Sequence, residues 1–269
     1  MRMESYVFCP VLLDLFSTST YVHIAMIIKN LVGRILLLVL CLGIESAFAA
    51  STDTAVIRNL SFPIMFNPEL DQSQVDTLVD LCRRQEPGLT CEMDTRGNAI
   101  GAFAILDYPL SLDKLRETVT ASDKAQIFKS AIYKYSRNLP QGKMDEFIRD
   151  PEGKVRFISN HEVNGKFLTR FTYRMRSELV KTPKWIFERE WTLGGGQQTR
   201  GVGGYINNIS YFTILVPMSS DRTRRIIASW SDVGGDLPVT GKIKAKTQDI
   251  IDGIYVGDKD VREYFKIGK

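Results

Sequence analysis

The residues of this chain that could carry out chemistry are few. Only two histidines, His23 and His161, occur among 269 residues, and they leave little material for a histidine metal site or a His-based triad. The sequence also contains no H-E-x-x-H, no phosphate-binding glycine loop before a helix, no G-x-S-x-G and no zinc-type cysteine pattern. We therefore expect no metal and no cofactor, and we nominate no catalytic residue.

Binding chemistry is better represented, because polar side chains fall among aromatic ones in strand-like segments. Arg189 shares a strand face with Phe187 and Trp191, where a buried arginine needs an acidic partner or a ligand anion. A sheet face that mixes large aromatics with a few hydrogen-bonding groups is typical of a small-molecule cavity. The candidate ligand-binding residues are Arg189, His161, Tyr173 and Tyr211 for the polar end of a ligand, and Trp185, Trp191 and Phe171 for its apolar wall.

Each of these residues also has a structural alternative. Arg189 could extend its guanidinium to the sheet edge, and His161 could bond a backbone carbonyl. The opposite strand faces carry charges: Glu188 and Glu190 on one strand, and Arg170, Arg174 and Arg176 on its neighbour. We predict that these charges pair across strands on a solvated outer face.

Composition excludes several classes of protein. The chain has 35 Lys and Arg against 31 Asp and Glu, a net charge of +4, and 44% hydrophobic residues. These proportions are those of an ordinary globular protein, and so small a net charge of mixed sign does not favour nucleic-acid binding. We therefore expect no nucleic-acid partner.

The N-terminal segment has the pattern of a secretory signal peptide. Lys29 and Arg34 precede a short apolar run, and the segment ends in Ala47-Phe48-Ala49. We predict cleavage after Ala49 and a periplasmic or secreted protein. Residues 1–25 lie upstream of a complete signal, which favours Met26 as the true start; a lipoprotein signal at Cys41 and an uncleaved anchor are weaker alternatives.

Two cysteines follow the signal segment. Cys82 and Cys91 are separated by eight residues that include Pro87-Gly88, at which the chain can turn back. In an oxidising compartment such a pair is expected to form a disulfide, and the alternative is two buried free thiols.

The hydrophobic periodicity predicts an α+β domain. An irregular lead-in over 51–70 is followed by a short helix from Ser73, a strand over 99–110 and two short helices over 111–129. Alternation with period 2 then predicts an antiparallel meander over 130–232. A C-terminal helix over 242–266 carries an apolar stripe, although Gly253 should weaken it and Gly257 should bend or end it.

This order of elements resembles the START-like helix-grip superfamily, which contains START lipid-transfer domains and polyketide cyclase/dehydrase-like proteins. The segment Gly234-Gly235-Asp236-Leu237-Pro238 is similar to a Gly-Gly-x-x-Pro turn at the same place in START-related bacterial proteins. The resemblance covers about residues 99–266. It implies a curved antiparallel sheet of six to seven strands wrapped around the long C-terminal helix, with a hydrophobic tunnel between them.

The resemblance sets the domain boundaries and the functional hypothesis. We expect a signal peptide over 1–49, an N-terminal extension over 50–98 that could cap the tunnel, and a START-like domain over 99–269. The first hypothesis is an exported protein that binds or transfers a lipid or another hydrophobic small molecule, with transient contact to a membrane surface. The alternatives are a cyclase or hydrolase that uses His161 or Tyr173 as general acid or base, and a cavity-free envelope protein whose outer arginines dock a partner or membrane.

Overall fold

A computed structural model of the chain describes residues 53–96, 99–164, 170–200, 205–234 and 243–268. The predicted signal segment and the turn residues 235–238 lie outside these ranges. The described helices are α1 (53–66), α2 (Gln72–Arg84), α3 (Leu112–Leu115), α4 (Glu117–Thr120), α5 (Gln141–Arg149) and α6 (Ile243–Tyr264), with a 3-10 turn at Lys124–Gln126. The strands are β1 (Thr90–Arg96), β2 (Ala99–Tyr108), β3 (Ile132–Arg137), β4 (Gly153–Asn164), β5 (Arg170–Lys181), β6 (Ile186–Thr192), β7 (Gln197–Arg200), β8 (Tyr205–Pro217) and β9 (Thr223–Gly234).

The strands form one antiparallel sheet. Their order is β1-β2-β9-β8-β6-β5-β4-β3, and β7 pairs with β5 beyond the end of β6. The described residues thus give nine strands, where the sequence predicted six or seven, because β1 belongs to the extension and β7 is a four-residue strand.

Both faces of this sheet are covered. One face packs against α1 and α2 through a core that contains Ile57, Leu78, Phe103 and Phe187. The other face packs against α6 and the short helices through a second core that contains Ile254. We call these the extension side and the helix side. The extension lies opposite α6, so the idea that it caps a tunnel on the helix side is wrong.

The irregular lead-in predicted over 51–70 is also wrong, since residues 53–66 form helix α1. Ile57, Ile64 and Met65 lie on one side of this helix and are at most 2% exposed. These three residues have the spacing of an apolar helix face, so the sequence does contain a helical pattern here. An irregular segment is predicted instead because prolines, here Pro63 and Pro68, usually interrupt a helix.

The end of α2 is held by a buried arginine on β9. Arg224 donates from Nη1 to the carbonyl oxygens of Cys82 and Gln85 at 2.6 and 2.7 Å, and from Nε to Asp107 Oδ1 at 2.7 Å. The last carbonyls of a helix have no partner within the helix, so a cation at this position satisfies them and complements the helix dipole. This contact fixes α2 on the sheet.

Two local predictions are wrong: the break in the C-terminal helix and the disulfide. Helix α6 runs unbroken through Gly253 and Gly257 to Tyr264; a Cβ on Gly257 would meet Phe128 only at an ordinary 3.7 Å. No disulfide joins Cys82 and Cys91, so the predicted bond is absent. Cys82 instead contributes its side chain to the core beneath α2, and Cys91 packs against the same core from β1.

A sheet that carries a long C-terminal helix across one face, with short helices after β2, confirms the predicted START-like helix-grip fold. Among the described residues, none of the helices is long and apolar enough to span a membrane.

Candidate functional site

The side chains of strand β6 point alternately to the two faces of the sheet. Glu188 and Glu190, which were predicted on the outer face, lie on the helix side, and Arg189, which was predicted on the ligand side, lies on the extension side. Glu188 pairs with Thr213 and Glu190 pairs with Tyr211, on the helix side. Both glutamates are at most 2% exposed. The predicted solvated outer face for them is wrong, because a sheet covered on both sides offers no solvated face at its centre.

A lysine joins the two glutamates. Lys124, in the 3-10 turn, places Nζ 2.6 Å from Glu188 Oε1 and 3.1 Å from Glu190 Oε1, and its side chain is 2% exposed. A buried ion pair is tolerated only when its remaining polar atoms are also satisfied. Here Glu190 also accepts hydrogen bonds from Ser177 Oγ at 2.9 Å and from the hydroxyl of Tyr211.

The network continues to His161. Ser159 Oγ lies 3.2 Å from Ser177 Oγ and 2.9 Å from His161 Nε2. Glu190 Oε2 is 3.6 Å from the same nitrogen. In a Ser-His-Asp triad the serine and the acid contact different ring nitrogens. Because both groups face Nε2 here, the arrangement is not a triad. We call Lys124, Ser159, His161, Ser177, Glu188, Glu190 and Tyr211 the polar cluster.

The carboxyl groups of the cluster are shifted in opposite directions. Burial raises the pKa of Glu188, and the neighbouring Glu190 adds to this effect against the attraction of Lys124. Burial also acts to raise the pKa of Glu190, but Lys124, His161 and Tyr211 outweigh it and hold that pKa below its usual range. One lysine thus faces two carboxyls, and Glu188 is the one that retains a proton more readily.

His161 is neutral near pH 7. Burial lowers its pKa to about 4, although Glu190 acts in the opposite direction. The ring is 3% exposed. A neutral imidazole can both donate and accept one hydrogen bond, which suits it to contact an uncharged polar group.

Aromatic rings pack on both sides of His161. The ring of Tyr173 stacks on it at 5.3 Å with an interplanar angle of 7°, and Tyr135 meets it edge to face at 5.0 Å. Tyr135 is 8% exposed, and its hydroxyl has no hydrogen-bond partner within the part of the chain that the structure describes. An unpartnered buried hydroxyl is costly and indicates a place where a further polar group could bind.

Space lies next to these rings. A cleft of about 710 Å³ is lined by Tyr135, His161 and Tyr173 together with residues at the ends of β3, β4 and β5. On the helix side, several described residues of the neighbouring strands at this end of the sheet are half-buried rather than buried. The half-buried residues there are Tyr173, Thr192, Ile209, Tyr211, Ser229 and Ser231. Two of them, Ser229 and Ser231, are serines with small side chains.

Four of the seven predicted site residues come together on the helix side. His161, Tyr173 and Tyr211 belong to this region, and Phe171 is buried on the same face of β5, at 3% exposure. The other three, Arg189, Trp185 and Trp191, lie on the extension side.

Arg189 has a structural partner for each part of its guanidinium. Nε lies 2.6 Å from Glu178 Oε2, and Nη1 donates to the carbonyl oxygens of Ile64 and Asn67 at 3.1 and 2.7 Å. Nη2 donates to Pro68 O at 3.2 Å. Arg189 therefore fixes the end of α1 as Arg224 fixes the end of α2, and its predicted contact with an anionic ligand is not supported.

The two tryptophans are likewise tied to the extension side. Trp185 is fully buried and donates from Nε1 to Asp76 Oδ1 on α2 at 2.7 Å. Trp191 is half-buried between the guanidinium groups of Arg176 and Arg189, whose central carbons lie 5.9 and 5.4 Å from its ring centroid. It lines a separate groove of about 950 Å³ at the end of α1.

The sequence reading missed Lys124, Ser159, Ser177 and both glutamates. Lys124 meets Glu188 across 64 positions in the chain, a separation that leaves no local signal. The signal for the others was the pairing register: Ser177 and Tyr211 both pair with Glu190, so placing Tyr211 inside required placing Glu190 inside as well. Across the described residues, no group of three or more His, Cys, Asp and Glu side chains is arranged to hold a metal ion.

Comparisons with known proteins add the following. No family model matches the chain, and no curated protein matches it. It is similar to the solved lipid transfer and protein localization domain of human StarD13, with 8% identity, coverage of 73% of this chain and 98% of that chain, and a TM-score of 0.45. It is also similar to a STAR-related lipid transfer protein from Xanthomonas axonopodis, with 10% identity, 68% and 95% coverage and a TM-score of 0.48. For human STARD10 the values are 8%, 76%, 86% and 0.46.

Proposed function

We propose that the protein binds a hydrophobic small molecule, such as a lipid, on the helix side of the sheet. The observation that carries this proposal is that Tyr173, Tyr211 and Ser229 are only half-buried, although they lie beside the buried polar cluster. The apolar body of the ligand would occupy this space, and burial of apolar surface contributes about 25 cal/mol per Å² before ordering costs.

The polar end of the ligand would lie against the aromatic rings at His161. Tyr135 offers a hydroxyl that has no partner among the described residues, and His161 offers a neutral imidazole, while the lysine of the cluster is already bound to two carboxyls. These groups fit a hydroxyl, carbonyl or neutral carboxyl better than a phosphate. The ligand we propose is therefore weakly polar at its end and uncharged there.

A titration with a soluble fluorescent fatty acid at mildly acidic pH, where its carboxyl can bind in the neutral form, tests this proposal. Tyr173→Ser removes the ring that stacks on His161, so we expect weaker binding of the probe. Tyr255→Ser is the matched control, because Tyr255 is a 39% exposed tyrosine on α6 outside this region. Equal affinity in the two variants, with both folded, would contradict the proposed location.

Catalysis in the same space is a second candidate. The opposite pKa shifts of Glu188 and Glu190 are the pattern found in acid and base pairs of enzymes. We place it second because both carboxyls are at most 2% exposed and each is bonded to Lys124. Conversion of a co-purified molecule by the wild-type protein, but not by Glu190→Gln, would favour it over simple binding.

We also propose that the protein is exported, as the basic, apolar and small-residue segments of positions 26–49 indicate. N-terminal sequencing of protein recovered from the envelope or the medium should then begin at Ala50. Recovery from the cell interior with an intact N-terminus would contradict export.

A further inference from the structure

Exposed apolar and cationic side chains meet at one edge of the 710 Å³ cleft. Tyr133 on β3 is 43% exposed, and Leu193, which follows β6, is 40% exposed. Both line the cleft, as do Lys134 and Arg174. We call Tyr133, Lys134, Arg170, Arg174 and Leu193 the rim.

The local backbone explains why a tyrosine is exposed here. The register between β3 and β4 shifts between Ile132 and Lys134, so Tyr133 is the extra residue of a bulge on an edge strand. Bulges at sheet edges change the direction of a side chain and end regular pairing. The guanidinium carbon of Arg170 lies 3.4 Å from the centroid of the Tyr133 ring, which orders this exposed ring.

The accessible charge of the rim is positive. The side chain of Lys134 is 72% exposed, and Arg174 is exposed with no ion pair among the described residues. Two acidic residues line the same cleft: Asp123, which is half-buried, and Glu162, whose side chain is 16% exposed and lies 3.6 Å from Lys134 and 4.0 Å from Arg170. A negatively charged partner would therefore meet the cations first.

Exposed apolar groups flanked by cations match the chemistry of an anionic lipid bilayer. Tyrosine and leucine side chains insert at the boundary between headgroups and acyl chains, while lysine and arginine are attracted to anionic headgroups. An acidic protein would use the cations but would not require two isolated apolar side chains beside a cleft. We propose that the rim docks on an anionic lipid bilayer, an inference that rests on the proposed function, because a carrier of a hydrophobic molecule must meet a membrane at its binding site.

Vesicle flotation of the full chain tests the docking proposal. Phosphatidylcholine vesicles with and without phosphatidylglycerol are the probes, and no other ligand is added. We expect binding to the anionic vesicles, weakened by salt. The double variant of Lys134→Gln and Arg174→Gln should lower partitioning by about fivefold for each charge removed, the effect of one cation near an anionic surface.

The apolar part of the rim is tested separately. Tyr133→Ser and Leu193→Ser should each reduce binding to anionic vesicles. The matched controls are Lys259→Gln and Val256→Ser on α6, at an exposed cation and an exposed apolar residue outside the cleft. Equal losses in rim and control variants, or binding only to an acidic protein and not to vesicles, would overturn the proposal.

The same preparations are titrated with the fluorescent fatty acid in the absence of vesicles. Protein that takes up the fatty acid but does not bind anionic vesicles would overturn docking and leave the proposed function standing. Protein that binds vesicles through the rim but takes up no fatty acid would support docking and overturn the proposed function.

Discussion

Replacing Tyr135 with phenylalanine should raise the stability of the protein and lower its affinity for the ligand. The hydroxyl of Tyr135 has no hydrogen-bond partner in the described structure, and the side chain is 8% exposed. A buried hydroxyl that has lost water without gaining a partner costs about 1–3 kcal/mol. Tyr135→Phe removes that cost and keeps the edge-to-face contact with His161.

The expected gain in the free energy of unfolding is about 1–2 kcal/mol, which raises Tm by about 2–8 °C in a domain of this size. A ligand that bonds the hydroxyl should lose about 1 kcal/mol, or about fivefold in affinity. Thermal unfolding without ligand measures the first effect, and titration with the fluorescent fatty acid measures the second.

Ser61→Ala is the control, because Ser61 Oγ is also buried without a described partner but belongs to α1, on the extension side. It should stabilise the protein without changing the affinity for the probe. A Tyr135→Phe variant with lower Tm would refute the reasoning, since it would show that the hydroxyl is bonded. Unchanged probe affinity would show that the hydroxyl does not contact the ligand.

Three further predictions concern the buried charges. Burial lowers the pKa of His161 from 6.5 to about 4, so between these pH values the unfolded state binds more protons than the folded state. The free energy of unfolding should therefore fall as the pH drops from 6.5 through 4. His161→Gln should flatten this pH dependence, measured by urea unfolding. Glu190→Gln should lower the free energy of urea unfolding by about 3–5 kcal/mol, because it breaks a buried ion pair. Glu188→Gln should lower the free energy of unfolding by less, because the raised pKa of Glu188 favours an uncharged side chain. It should also remove the loss of wild-type stability that occurs as the pH rises through that raised pKa. Equal losses of stability in the two variants would contradict the opposite pKa shifts of Glu188 and Glu190. Arg189→Met should lower the free energy of unfolding by about 3–5 kcal/mol in the same urea assay and leave the affinity for the probe unchanged. Arg176→Gln, on the same face, is the control and should change stability by less than about 0.5 kcal/mol. A folded Arg189→Met protein with lower affinity for the probe would show that Arg189 contacts the ligand.

The fold was predictable because its signals are local. Strand β2, the short helix α3 and the C-terminal helix all follow from periodicity and capping within about twenty residues. The alternation along β5 correctly separated Phe171, Tyr173 and Met175 from the arginines between them.

The site was only half predictable because alternation assigns residues to faces without saying what covers each face. Trp185, Phe187 and Trp191 marked a buried face correctly, but the burial comes from α1 and α2 and not from the C-terminal helix. The glutamates beside them were placed in solvent since charged residues usually are. Their burial depends on Lys124, and no spacing rule connects a 3-10 turn with a strand 64 residues later.

The central claim is that a hydrophobic molecule occupies the helix side of the sheet, and native mass spectrometry of the purified protein tests it most directly. We predict one bound hydrophobic molecule per chain, identified after organic extraction. It should be lost in Ser229→Phe, which fills the half-buried position between Tyr211 and Ala102, and retained in Asn138→Trp, which fills the groove on the extension side. A bound molecule retained by folded Ser229→Phe and lost from Asn138→Trp would contradict the account, as would a wild-type protein that carries no molecule and takes up none.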